Sequence, residues 1–599
     1  MTTNDRRSFG LEIGGGVLPT LIVTVLAVVT LAVSIAWAHL DLDDLGLAKS
    51  LPPSYFVGLA LLPIASLLEL RRGERAIPWL IVLHVVLFIV IVWVTPTILE
   101  GTPRFRTSYV NYGYVDPLVR GDGLLPSRFI YHNWPLFPEV MAALVQVGAN
   151  PLTLMTWFPL VVMLLYLIPL SVLVLQLGRA DPGKPIVARA EPASTGPAPD
   201  GPTDTRAGPL SAAGRRPPYW AFALWLFPIF DWTGQDYFSP QAFAYFVFLV
   251  WLVVLVRVSL ERDGRFSPWT LVLTIGLFTV ITSTHVLTAL LGLGILFTLV
   301  LTRLLRQWTV LVTCAVIFLV WQVYLAAPFF ESYRSQLLET ILDLPSFLES
   351  NLSNRVRGSD GHAFIAQLRI LATIMAFGLG VIGTALMYRR TAFSRPLRFA
   401  IAYVLGVALV APVTVYGGEM LIRSLLFVLP VVTAVIAVNL ADRRFALAVA
   451  AIVILMAPVH ILTHYGNELY DYVRPGELAA FDYVEAHGPA NIYGGAPTGA
   501  FENTARLDTR NSTVPKSGGV SGVVGYLRPE DHSWQHPEWP IYVVVSRGDD
   551  AAMKLFQNVV DFRATVDGAL ASDRRFVPIL KNDDISLYLW TPTAAASPT

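Results

Sequence analysis

The stretch 399–463, FAIAYVLGVALVAPVTVYGGEMLIRSLLFVLPVVTAVIAVNLADRRFALAVAAIVILMAPVHILT, decides the fold. It holds three apolar segments, 399–416, 422–440 and 445–463, each close to the roughly 20 residues that cross the hydrocarbon of a bilayer. The two connectors differ in chemistry. The first carries Gly417, Gly418, Glu419 and Arg423, and the second carries Asp442, Arg443 and Arg444. Successive connectors fall on opposite faces of a membrane, so the difference marks the faces.

Working outward, the same pattern recurs at 17–38, 54–70, 78–98, 152–176, 218–231, 241–257, 268–284, 286–302, 308–327 and 364–387. About thirteen spans result by length. Threaded alternately, they put Arg71, Arg72, Arg75, Arg257, Arg262, Arg265, Arg389, Arg390, Arg395, Arg398, Arg443 and Arg444 on one side. Lys- and Arg-rich loops are held in the cytoplasm, so the N-terminus is expected inside and the C-terminus outside. Ala36-Trp37-Ala38 has the small-x-small form of a signal cleavage site, but the preceding run is long, and an uncleaved first helix is expected. The expected class is an all-α, multi-pass protein of the plasma or inner membrane, residues 1–466. An extracytoplasmic α/β domain follows over 467–599.

Composition agrees. Hydrophobic residues make up 54% of the chain and charged residues only 14%, against about a quarter charged in soluble domains. Net charge is zero, and nucleic-acid binders want a basic surface, so no nucleic-acid partner is expected. The single cysteine, Cys314, lies in an apolar run and excludes intramolecular disulfides and cysteine metal centres. No Walker loop, HExxH or GxSxG is present, and no cofactor or metal is expected.

Residues 178–217, rich in Pro, Gly and Ala, read as a disordered cytoplasmic linker. Beyond Glu468 the texture turns globular. A helix is expected over 477–487, a strand over 540–545, helix over 550–571 and a closing strand over 585–590.

The opposite, non-basic side holds the residues able to do chemistry. The loop 99–151 carries Asp116, Asp122, Arg120, Arg128, His132 and Trp134. A carboxylate there can take a proton from an attacking hydroxyl, and Arg can hold a phosphate through paired hydrogen bonds. The plainer alternative is interfacial anchoring by Trp and Tyr, with Asp-Pro and Gly-Asp-Gly as turns. The loop 231–241 carries Gln235 and Asp236, and an ionisable group so close to hydrocarbon is a functional candidate by default. His285 stands among hydroxyls between two spans, and Glu419 and Arg423 are four apart, at the spacing of an internal ion pair. The loop 328–363 offers Arg357, with an interfacial helix expected over 333–351.

The order of short strings, YGYVDPLVRGD, YHNWPLF, QDYFSPQAFAYF, THVLTAL and GGEMLIRSLLFVLP, resembles membrane glycosyltransferases of the GT-C superfamily. Protein O-mannosyltransferases and lipid A aminoarabinose transferases share this plan. The resemblance implies transfer of a sugar from a polyprenyl-phosphate donor to a lipid, glycan or protein acceptor on the outer face. It also implies that Asp116 or Asp122 acts as base, with Arg423, His285 or Arg357 facing the donor phosphate. Here the acidic loop follows the third span, which makes Asp236 a rival for the base. A related polysaccharide polymerase or ligase is the first alternative. A flippase or envelope-assembly scaffold is the second, and a polar cavity open to both sides would mark the flippase.

Overall fold

The computed structural model describes residues 16–179, 217–331, 357–411, 420–494, 507–511, 527–531 and 534–591. Most of the linker 178–217, Glu419 and the expected interfacial helix 333–351 lie outside them. Among the described residues, eight helices are long and apolar enough to cross a membrane: Leu18–Trp37, Pro53–Leu70, Pro78–Glu100, Pro151–Gly178, Pro240–Glu261, Trp308–Leu325, Asp360–Thr391 and Arg443–Tyr465. Shorter apolar helices are Tyr219–Phe230, Pro268–Thr282, Val286–Leu301, Arg423–Asn439 and Leu136–Gln146. The last lies inside the loop 99–151, where the sequence pattern gave no helix.

Proline sits in the first turn of the helices that begin at Leu18, Pro53, Pro78, Pro240, Pro268 and Arg395. Its missing N–H is no loss there, because that donor has no partner within the helix. Inside a helix it removes one hydrogen bond; the long helices carry Pro63, Pro96 and Pro458 without ending, whereas the helix breaks ahead of Pro228. The segment 218–231 is therefore two short helices, Tyr219–Ala223 and Leu226–Phe230. Pro228 cannot donate to Leu224, and its ring crowds that carbonyl. The segment 308–327 winds as α-helix to Val320 and as one π turn over Trp321–Leu325.

Helices meet where side chains are small. A Cβ on Gly406 would lie 2.6 Å from Ile295 Cα, and one on Gly294 would lie 2.5 Å from the Gly406 carbonyl oxygen. The close approach lets the Thr298 hydroxyl donate across the interface to the Ala402 carbonyl at 2.7 Å. Outward faces stay apolar. Val316, Leu319, Ile374, Val381 and Leu409 are all more than half exposed, as lipid-facing side chains are.

The bundle has two chemically different ends. At one, Asp263 pairs with Arg306 (2.5 Å) and with Arg395, and Arg398 donates to the Thr302 carbonyl at 2.7 Å. At the other end lie the connectors 38–52, 101–150, 231–239 and 283–285, together with the C-terminal unit.

That unit holds a five-stranded sheet in the order β2-β1-β3-β5-β4. The strands are β1 Ala490–Gly494, β2 Leu507–Asn511, β3 Ile541–Ser546, β4 Phe576–Lys581 and β5 Ile585–Trp590. β1 runs parallel to β2 and β3, while β5 runs antiparallel to β3 and β4. Alternate side chains serve opposite faces. Ile492, Tyr542, Val544 and Leu587 pack with helix Pro475–His487 and with Tyr109, Val115 and Phe137 of the long loop. Tyr493, Val543, Val545 and Tyr588 pack with Met553, Phe562 and Val566 on the far side. The expected single helix 550–571 is two, Arg547–Gln557 and Phe562–Ser572. Asn558 ends the first in the left-handed conformation (φ 56°), and Asp561 enters the second at φ 57°.

Candidate functional site

The loop 231–239 is held between two apolar helices. Ser239 caps the following helix by accepting from the Ala242 N–H at 3.1 Å. Asp236 is 2% exposed, and its Oδ2 accepts from the indole N–H of Trp93. Its Oδ1 lies 3.6 Å from Nε2 of His464, whose Nδ1 donates to the Asp231 carbonyl at 3.1 Å. One turn back on the same helix, His460 stacks on His464 with ring centroids 5.0 Å apart and donates to the Ile229 carbonyl at 3.2 Å. Burial by itself would raise the Asp236 carboxyl pKa, but His464, Arg104 and the Trp93 N–H together bring it down to about 2. Asp236 is thus held as a buried anion.

Beside it, Arg104 donates from Nε to Glu468 at 2.7 Å and lies 4.5 Å above the Tyr465 ring. Arg106 donates to Glu477 at 2.9 Å and to the Tyr470 carbonyl at 2.8 Å. Asp471, in the same group, is pushed up to about 7 by burial, against the pull of Arg104. These pairs fasten the long loop to the C-terminal unit.

A second group forms around Arg423, whose guanidinium donates to Oε1 of Gln241. It also lies near His285, and burial together with that positive charge holds the imidazole pKa well below its usual value. His285 caps the next helix through Nδ1, which accepts from the Thr288 N–H at 3.3 Å. Its ring lies parallel to Tyr131 at 6.2 Å, and Tyr131 in turn meets Trp134 at 6.4 Å. The Trp321 indole donates to the Asn133 carbonyl at 3.0 Å, which fixes the π turn against the long loop. Among the described residues, Asn133 Oδ1, Trp134 Nε1 and Gln241 Nε2, and Oε1 and Nε2 of Gln322 beside Trp321, are buried polar atoms without a hydrogen-bond partner. Such atoms are costly when dry and unpaired, so they are sites that a polar ligand or water would satisfy.

Asp116 opens a third place, where the long loop meets helix Pro475–His487. Its Oδ2 accepts from Arg120 Nε at 2.7 Å, and Arg120 also bonds Glu485 at 3.1 Å. Burial raises the Asp116 pKa, with Arg120 opposing. Two residues earlier, Tyr114 lies 5.4 Å from Tyr131, which links this place to the Arg423 group.

No protein-family model matches this chain, and none of the curated proteins matches it. What the site does must be argued from its chemistry.

The remaining expected residues divide cleanly. Asp122 is exposed on a turn between Gly121 and Gly123, both at positive φ. Arg128 donates to the Leu507 carbonyl at 3.1 Å, which ties the loop to β2. His132 spends both ring nitrogens on the backbone, accepting from the Leu125 N–H at 2.8 Å and donating to the Tyr114 carbonyl at 2.7 Å. Gln235 is buried with an unpartnered Oε1, and Arg357 is exposed. The expected pairing of Glu419 with Arg423 lies outside the described residues on the Glu419 side. Among the described residues, no three His, Cys, Asp or Glu side chains are arranged to hold a metal.

Trp93, Arg104, Arg106, His460, His464 and Glu468 were not singled out from the sequence. The spacing His460-x-x-x-His464 at the end of the last span was the available signal, since it places both rings on one helix face.

Proposed function

We propose that this protein is a membrane glycosyltransferase of the GT-C kind, moving a sugar from a polyprenyl-phosphate donor to an acceptor. The observation that carries the reading is the group around Arg423. A guanidinium, buried aromatic rings and unsatisfied amide and indole groups gather at the end of the bundle that bears the C-terminal unit. A lipid phosphate suits the guanidinium, and sugar hydroxyls suit the amide and indole groups. In this reading the five shorter apolar segments of the bundle, Arg395–Val410 among them, are spans as well, giving thirteen. The Arg-rich end faces the cytoplasm and the site faces outward.

The reaction is one displacement. The acceptor hydroxyl oxygen bonds to the anomeric carbon while the bond from that carbon to the phosphate oxygen breaks. The hydroxyl proton passes to Asp116, and the polyprenyl phosphate leaves with its charge held by Arg423. Asp116 suits the role of base better than Asp236. A base wants a pKa near the working pH, and the environments move Asp116 up and Asp236 down.

The test is transfer by the purified full chain from radiolabelled polyprenyl-phosphate sugars, with the glycan and glycolipid profile of cells lacking the protein guiding the choice of acceptor. Arg423→Ala is expected to raise KM for the donor and to lower kcat. Full activity in that variant, or unchanged profiles in cells without the protein, would reject the reading.

A further inference from the structure

A separate cavity of about 360 Å³ lies at the outer junction, walled by three chain segments that are distant in sequence. Asp41 and Leu42 come from the connector after the first helix. Arg474 stands just before helix Pro475–His487, and Arg547, Asp550 and Lys554 come from helix Arg547–Gln557. None of these residues belongs to the groups around Asp236, Arg423 or Asp116.

The charges in this wall are not matched internally. Among the described residues, no carboxylate oxygen comes within 4.0 Å of the side-chain nitrogens of Arg474, Arg547 or Lys554. Two acids share the wall, Asp41 and Asp550, and Asp550 Oδ1 accepts from the Arg563 N–H at 3.1 Å, so three cations face two carboxylates. Arg474 is only part-exposed and rests 5.3 Å over the Tyr472 ring. Burial lowers its pKa and the neighbouring Arg547 adds to this, with Glu477 and Asp584 opposing, and both guanidinium groups line the same cavity. Like charges brought together beside low-dielectric walls repel, and an anion seated between them removes the cost.

The cavity also has a definite depth. Trp37, 75% exposed, ends the first helix and marks the interfacial layer, and Asp41 and Leu42 follow within five residues. Five residues of extended chain reach at most about 18 Å, so the cavity lies at or near headgroup level.

We propose that this cavity is a binding site for a phosphate-bearing group, held by Arg474, Arg547 and Lys554. Arg supplies paired donors to phosphate oxygens and Lys a point charge. The bound anion bridges the start of helix Pro475–His487 and helix Arg547–Gln557, so its occupancy stiffens the C-terminal unit where it faces the first connector. The phosphate can belong to an anionic lipid headgroup or to a soluble ion, and the inference does not depend on the transferase reading.

The test is thermal unfolding of the purified full chain. One arm adds inorganic phosphate in neutral detergent against chloride at equal ionic strength. The other compares nanodiscs of phosphatidylglycerol with nanodiscs of phosphatidylcholine. A saturable Tm rise of about 3 °C is expected in at least one arm. A rise with phosphatidylglycerol alone assigns a lipid headgroup, and a rise with inorganic phosphate assigns a soluble ligand. Arg474→Gln with Arg547→Gln should abolish the rise, while Arg444→Gln at the opposite end of the bundle should keep it. The ligand-free double variant should unfold no earlier than wild type, because a repulsion has been removed; a purely structural pair would lower its Tm. Should the double variant not purify, the exposed Arg547→Gln alone serves, with at least a threefold weaker ligand response expected. No rise in either arm, or an undiminished rise in the variant, overturns the proposal.

Discussion

Asp116 and Asp236 are both acids in connectors at the same end of the bundle, and their surroundings give them different chemistry. The Trp93 indole takes one oxygen of Asp236 and His464 lies 3.6 Å from the other, whereas Asp116 gives one oxygen to a part-exposed Arg120. Asp116→Asn is therefore expected to lower kcat roughly 10²–10⁴-fold with the donor KM unchanged, since Asn keeps the size but cannot take the proton. Because the Asp116 pKa is raised, wild-type activity should fall with acidification at a higher pH than an ordinary aspartate would give. Steady-state kinetics from pH 4 to 8 check both points. Asp549 offers a test on stability. Burial outweighs the opposing Ser546 hydrogen bonds and pushes it up to about 7. The folded state binds this proton more tightly than the unfolded chain does. The associated stability is present below pH 4 and is lost as pH rises towards 7. Asp549→Asn keeps an acceptor for the Ser546 N–H (2.8 Å in wild type) without the charge. It should leave Tm unchanged at pH 4 and raise it at pH 8, by an amount corresponding to on the order of a few kcal/mol. A lower Tm at pH 8 would show that the carboxylate itself is needed.

At the scale of elements, periodicity located each apolar segment, but local sterics decided its form. Pro228 divides 218–231, and left-handed residues at Asn558 and Asp561 divide 547–572. The contact of Gly294 with Gly406 belongs to this scale too. Gly406→Leu would push a side chain into the Ile295 backbone, 2.6 Å from where its Cβ begins. Separating the helices would also strand the Thr298 hydroxyl bond. The expected result is loss of monodisperse protein on size exclusion, whereas Gly378→Leu, where nothing lies within 4 Å of an added Cβ, should behave as wild type. Equal profiles for the two variants would mean that close packing at Gly406 is not needed.

For the whole molecule, the two ends are opposite in chemistry. Asp263 gathers Arg306 and Arg395 at one, and the long loop is fastened to the C-terminal unit at the other. In the proposed orientation the first end is cytoplasmic. The native Cys314 is buried, so introduced cysteines report on sidedness. Asp122→Cys should react with an impermeant maleimide in intact cells, and Glu74→Cys should react only after permeabilisation. The reverse pattern would invert the molecule.

The sequence by itself determined the helical membrane class, the position of each apolar segment, the segregation of Arg to alternate connectors, and the strands β3 and β5. These are local properties: a run of apolar side chains, a period of two, and the charge of a connector depend only on neighbours in the chain. It did not contain, in readable form, the partners of Asp236, the fastening of Arg104 and Arg106 to Glu468 and Glu477, or the approach of Gln241 and His285 to Arg423. Those contacts join residues up to several hundred positions apart, and which of them form depends on how the helices pack. Only the tertiary structure decided that opposing charge holds the Asp236 carboxyl pKa down while burial moves that of Asp116 up, because burial and opposing charge are set by the fold around each group.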